Sequence, residues 1–113
     1  MDTSVVDAQI LERLFRGDRS RLEQWIRLYL KESPAYINKS AEGLALENAD
    51  TLASAAHDLR PQAHYLGCPR MLELLIAVGE RARTEGPAAC AGPVSELLEL
   101  CAAIDAELRG MVG

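Results

Sequence analysis

Aromatic side chains are scarce in this chain: one Trp, one Phe and three Tyr among 113 residues. Almost no stretch alternates apolar and polar positions with β-branched or aromatic residues, so the chain suits helices more than a sandwich of strands. Cysteine is also sparse. Cys68, Cys90 and Cys101 are odd in number and lack CxxC spacing. That pattern suits free thiols packed in a reduced cytoplasm and not a disulfide framework or a zinc site. Positive charge is in deficit, with 12 Lys and Arg against 17 Asp and Glu for a net charge of −5. A phosphate backbone or an anionic bilayer is bound with excess Lys and Arg, so neither nucleic acid nor membrane is an expected partner. No apolar run approaches the roughly 20 residues of a membrane span. The opening MDTSVVDAQ has no basic flank and no apolar core, hence no secretory signal. No GxxxxGK[ST] loop or Gly-rich nucleotide lid is present, so a nucleotide site is not expected.

What remains is rich in Leu and Ala, a composition suited to helices. With no internal repeat and no long linker, residues 1–113 read as a single domain large enough to bury one core. A short helix is expected from about Thr3 to Arg16, with Ile10, Leu11, Leu14 and Phe15 on one face and Gly17 as its stop. A second follows Asp18, with Ser20 and Glu23 spaced as a capping box and Leu22, Trp25, Ile26 and Tyr29 as its stripe. Ser33-Pro34 has the form of an N-cap and a first helical position. The pattern resumes at Ile37, Ala41, Leu44 and Ala45, which predicts one long element interrupted or kinked near Pro34. Asp50 is the expected cap of the next helix, which runs to about Leu66. Its apolar positions Leu52, Ala56, Leu59, Ala63 and Leu66 step by four, three, four and three, a strict packing seam. Gly67 closes it, and Cys68-Pro69 opens a helix carrying Met71, Leu72, Leu75, Val78 and Ala82. After Gly86-Pro87 and a start at Gly92-Pro93 comes a final stripe of Val94, Leu97, Leu98, Cys101, Ile104 and Leu108. The fold class is all-α: an up-and-down four-helix bundle with a short additional N-terminal helix.

Both histidines lie in one segment, HDLRPQAHYLG. With the seam as the buried direction and about 100° per residue, His57 falls about 130° from the core, His64 about 110°, and Pro61 almost opposite it. Arg60 sits on the flank between them. A lone surface histidine is ordinarily only a solvated side chain, but these neighbours add to it. Ala53 and Ala56 are small enough to leave the imidazole approachable. Arg60, one turn away, can reach a phosphoryl oxygen or an acidic partner. A neutral imidazole is a nucleophile usable near neutral pH. His57 and His64 stand about 10 Å apart along a helix, too far to share one metal ion.

The segment AAHDLRPQAHYLG resembles the signature of histidine-containing phosphotransfer (HPt) domains of two-component phosphorelays: a small residue, His, any residue, Leu, Lys, Gly, then small residues ending in Leu-Gly. Ala56, His57, Leu59, Leu66 and Gly67 match, and Arg60 replaces the Lys with its charge kept. The likeness extends over nearly the whole chain, from the Gly17-Asp18 pair before the second helix to MLELLIAVGERARTEG after the Gly. It implies a helical bundle whose His57 takes a phosphoryl group from a receiver-domain aspartate and passes it to another receiver. It also implies Arg60 as a charge partner and Ala53, Ala56, Pro61 and His64 as a docking rim. The expected partners are response-regulator receivers and a hybrid sensor kinase, met by a cytoplasmic monomer. The chain needs no cofactor of its own, and Mg²⁺ comes with the receiver.

Pro61 departs from the pattern, which has Gly there. Proline removes the N–H that the His57 carbonyl would accept and sets a ring on the same face. Three readings follow. The kink tips His57 outwards, or the ring selects receivers by shape, or the domain docks on receivers or a kinase without being phosphorylated. A dimerisation module of the helical kinase type is a further class, and it requires a large exposed apolar seam.

Overall fold

The computed structural model describes residues 4–112, and within them the chain forms five α-helices and one short 3-10 turn, with no strand. Helix α1 spans Ala8–Leu14, shorter than expected, and the expected start at Thr3 lies outside the described residues. Its cap is Asp7, whose carboxylate accepts from the N–H groups of Gln9 and Ile10, two of the donors that a helix start leaves unpaired. Leu11 is fully buried, but Ile10 and Leu14 are 37% and 45% exposed, so only part of the expected face is used. A helix of two turns touches its neighbours along a single line, too narrow to cover four apolar side chains.

Helix α2, Arg19–Ala45, corrects two expectations. Asp18 caps it by accepting from Arg21 N–H at 3.1 Å, which leaves Ser20 inside the first turn and not at the head of a capping box. The helix also runs through Pro34 without a break. Ser33 is buried inside it, where its hydroxyl donates to Asp105 of the last helix, so it caps nothing. Pro34 itself is exposed, so the loss of its N–H falls on the solvent side, while Ile26, Tyr29 and Ser33 before it and Ser40 and Gly43 after it are held in the interior. Packing on both sides outweighs the local cost of the proline.

Helix α3, Ala49–Leu66, starts one residue before the expected Asp50 because Asn48, with its side chain accepting from Thr51 N–H, is the cap. The turn before it closes at Glu47 in the left-handed region (φ 51°), which brings Asn48 into the capping position first. All five seam residues are buried, as the four-three spacing required. At the other end Gly67 adopts φ 61° and lets Cys68 N–H reach back to the Ala63 carbonyl, closing the helix. No side chain fits there, since a Cβ would stand 2.6 Å from that of Asp7.

Helix α4, Pro69–Thr84, has Pro69 in its first turn, and a 3-10 turn over Pro87–Cys90 leads into α5, Ala91–Val112. The expected start at Gly92-Pro93 therefore lies just inside the last helix. Helix α2 packs on α3 and α5, α4 packs on the same two, and α1 lies across α2 and α3. By length and composition the stretch Pro87–Val112 is apolar enough to cross a membrane, which the sequence expectation did not allow. In the globule its Val94, Leu97, Cys101, Ile104 and Leu108 all face the core.

Candidate functional site

The α3 seam determines what the rest of that helix presents. With Leu52, Ala56, Leu59 and Ala63 turned inwards, His57, Pro61 and His64 are all exposed, and Arg60 is half-buried on the flank. The helix is continuous through Pro61, so the free carbonyl of His57 lies in a segment that keeps helical form on both sides. Leu59 and Ala63 anchor it on the inner face, which limits what the missing hydrogen bond can undo.

His57 borders an open groove of about 580 Å³ between α3 and α4. Ala53, Ser54, His57 and Arg60 form one wall, and Gly79, Glu80, Arg83 and Thr84 form the other. The groove thus unites three residues singled out from sequence, His57, Arg60 and Ala53. Pro61 and His64 are not among its lining, and they continue the exposed face of α3 beyond it. Ala56 is a correction. At 2% exposure it belongs to the core, because the packing seam passes through it, and it leaves no surface on which a partner could dock. Ala53 is nearly as buried, at 4%, but lies on the wall of the groove, where its small side chain leaves the space beside the imidazole open.

Three residues of this neighbourhood, Lys39, Gly79 and Arg83, carry no mark in the sequence. Lys39, from α2, donates to the Ser54 hydroxyl at 3.2 Å and pairs with Asp58 at 3.8 Å, so it stands against the two residues that flank His57. Gly79, on α4, faces Arg60 across the groove. Arg60 lies over it, with Nη2 only 3.6 Å from where a Cβ would be. Arg83 comes one turn later on α4 and opens onto the same groove. Nothing in the local pattern of MLELLIAVGERARTEG marks Gly79 or Arg83, because the partner that gives them meaning lies on another helix.

The site is cationic and loosely satisfied. The Nε–H of Arg60 is buried without an acceptor, a condition that costs roughly 1–3 kcal/mol. Neither Arg60 nor Arg83 forms an ion pair among the described residues, whereas Arg70 binds both Glu73 and Glu96, and Arg81 pairs with Glu85. Glu80 is the single carboxylate on the groove wall. Such a donor set suits an oxyanion and does not suit Mg²⁺, which takes carboxylate and carbonyl oxygens. Among the described residues no group of three His, Cys, Asp or Glu is placed to hold a metal ion.

The other buried polar residues lie away from the groove. Asp105 is buried, and its Oδ2 accepts from Ser33 at 3.3 Å while Oδ1 has no partner. Burial raises its pKa, against the lowering effects of the Ser33 hydrogen bond and of Arg109. Burial likewise raises Tyr29 and pushes the Cys101 thiol up to about 12, with Asp105 adding to both. Cys90 donates its S–H to the Val78 carbonyl. These thiols are packing groups, and none has the thiolate character that nucleophilic chemistry needs. Comparison of the chain with protein-family models, curated proteins and solved structures finds no match.

Proposed function

We propose that the protein is a histidine phosphocarrier that accepts a phosphoryl group on His57 from the aspartyl phosphate of a receiver domain and returns it to another receiver. One observation carries this reading. The His57 imidazole is exposed in the middle of a continuous helix and opens onto a groove with two guanidiniums that have no carboxylate partner. The mutual packing of α2, α3, α4 and α5 supports taking these four as an up-and-down bundle, with His57 on the outside of one member.

The chemistry asks little of the carrier. The Nε2 lone pair attacks phosphorus in line with the acyl phosphate oxygen; an N–P bond forms, the P–O bond breaks, and the receiver carboxylate leaves with the electron pair. The reacting tautomer holds its proton on Nδ1. The reverse step delivers phosphate onward, so direction depends on the receivers present. Mg²⁺, held by the receiver, would neutralise phosphoryl charge during transfer. Within this chain Arg60, half-buried on the flank, offsets that charge from the side through its guanidinium at the groove, a solvent-accessible interaction worth about 0.2–1 kcal/mol. A cytoplasmic setting, a hybrid sensor kinase upstream and a monomeric state belong to the same reading.

The test is direct. Receivers charged with a small phosphodonor are mixed with the protein, and acid-labile, alkali-stable label is followed, with His57→Gln as control. Label on the wild type alone is expected. Pro61, exposed on the His57 face, favours one second reading, a module that docks on receivers or a kinase without taking phosphate. Receiver binding with no label on His57 would select it.

A further inference from the structure

We infer that the α4 side of His57 is an oxyanion seat, in which Arg83 is the second cation beside Arg60 and Gly79 is the α4 position over which Arg60 lies. The inference deepens the phosphocarrier reading by naming where the phosphoryl oxygens rest and which residue outside the histidine helix receives them.

Three observations carry it. The groove walls supply two guanidiniums, the Ser54 hydroxyl and the imidazole, against the single carboxylate of Glu80, while the Thr84 hydroxyl donates to the Glu80 carbonyl. In a chain with five more acidic than basic groups, this is a local reversal of sign. Neither guanidinium is within ion-pair distance of Glu80 or of any other described carboxylate, although exposed arginines elsewhere on α4 are paired. Finally, the Arg60 Nε–H is shut away from water with no acceptor, while Nη2 lies over residue 79. Two planar, fixed-charge donors on facing walls of an open groove match the charge and bidentate donor pattern that a tetrahedral oxyanion takes. Seated there, the phosphoryl group approaches His57 from the α4 side, away from the proline ring. That direction leaves Pro61 on the outer rim, where it can meet a partner without covering the attacking nitrogen.

Arg83 is exposed, so its truncation leaves the core intact. Gly79→Glu is a second probe of opposite character. The added Cβ makes only an ordinary 3.6 Å contact and replaces a helical glycine, yet it brings a carboxylate against Arg60. The experiment is a titration of the full chain with inorganic phosphate, followed by backbone amide shifts in NMR and matched with sodium chloride at equal ionic strength. Phosphate is expected to shift Ser54, His57, Arg60, Gly79 and Arg83 together, in wild type and in His57→Gln alike. Arg83→Ala should weaken that binding about two- to fivefold, Arg83→Lys should recover part of it, and Gly79→Glu should abolish it while raising the melting temperature. Shifts scattered over Arg19, Arg70 and the other surface arginines, or equal affinity in all variants, would overturn the seat. Phosphate binding in the groove with no label ever appearing on His57 would leave the seat standing and remove the carrier. Label on His57 at an unchanged rate in Arg83→Ala, with no phosphate binding, would do the opposite.

Discussion

Asp105 illustrates how a single buried group can reach the behaviour of the whole domain. Ser33, Tyr29 and Cys101 surround it from α2 and α5, and Arg109 is the cation one turn away. Its folded pKa is raised above 3.8 by burial, so folding favours the protonated acid. The stability this adds is fully present below the unfolded pKa and is lost as pH rises through the folded value. Urea midpoints of wild type should therefore fall, relative to Asp105→Asn, from about pH 4 upwards. Parallel pH profiles for the two proteins would refute this account. Arg60 offers a second residue-scale prediction. Arg60→Ala should slow transfer to His57 about two- to fivefold, as expected for one charge contact at an open groove, with Arg60→Lys close to wild type. A loss of several orders of magnitude would mean that Arg60 does more than offset charge.

At the scale of elements, two helices run through a proline and one turn depends on a glycine. Pro34 and Pro61 are both exposed, and both helices continue past them because their inner faces are anchored. Replacing Pro61 by Gly restores the N–H for the His57 carbonyl, exchanging a helix penalty of about 3 kcal/mol for one of about 1 kcal/mol. A gain of up to about 2 kcal/mol in chemical denaturation is expected, together with acceptance of a wider set of receivers. Unchanged stability and unchanged partner preference would remove Pro61 from the argument. Gly67 behaves in the opposite way. At φ 61°, with Asp7 and Ile10 packed against its Cα, Gly67→Ala should cost about 1–3 kcal/mol and free the segment before α1 from the α3–α4 turn. Amide exchange at Asp7, whose N–H bonds the Leu66 carbonyl, is the local readout. Much of this level was legible beforehand. The α3 seam, the Gly67 stop and the Pro69 start came from spacing and from backbone chemistry that acts within one turn. The cap of α3 lies two residues before the expected Asp50 because Asn48 is an equally capable cap, and the choice between them rests on the geometry of the preceding turn.

For the whole molecule, the enclosed thiols give a direct probe of folding. Cys68, Cys90 and Cys101 are all buried. Their reaction with a disulfide reagent should be slow in the native state and should follow the rate of unfolding when denaturant is added. Rapid labelling of even one thiol under native conditions would contradict the packing described here. What the amino-acid order determined alone was local: the apolar stripes of the longer helices, the stop at Gly67, and that His57, Pro61 and His64 look outwards together. Pairings between distant segments were decided only by tertiary structure. Arg60 over Gly79, Arg83 beside the same groove, Lys39 against Ser54 and Ser33 bonded to Asp105 all join different helices. Helical periodicity records the angle of a side chain about its own axis. It carries no record of which neighbouring helix, at what height, will stand opposite, and that depends on how all the apolar faces close over one another at once.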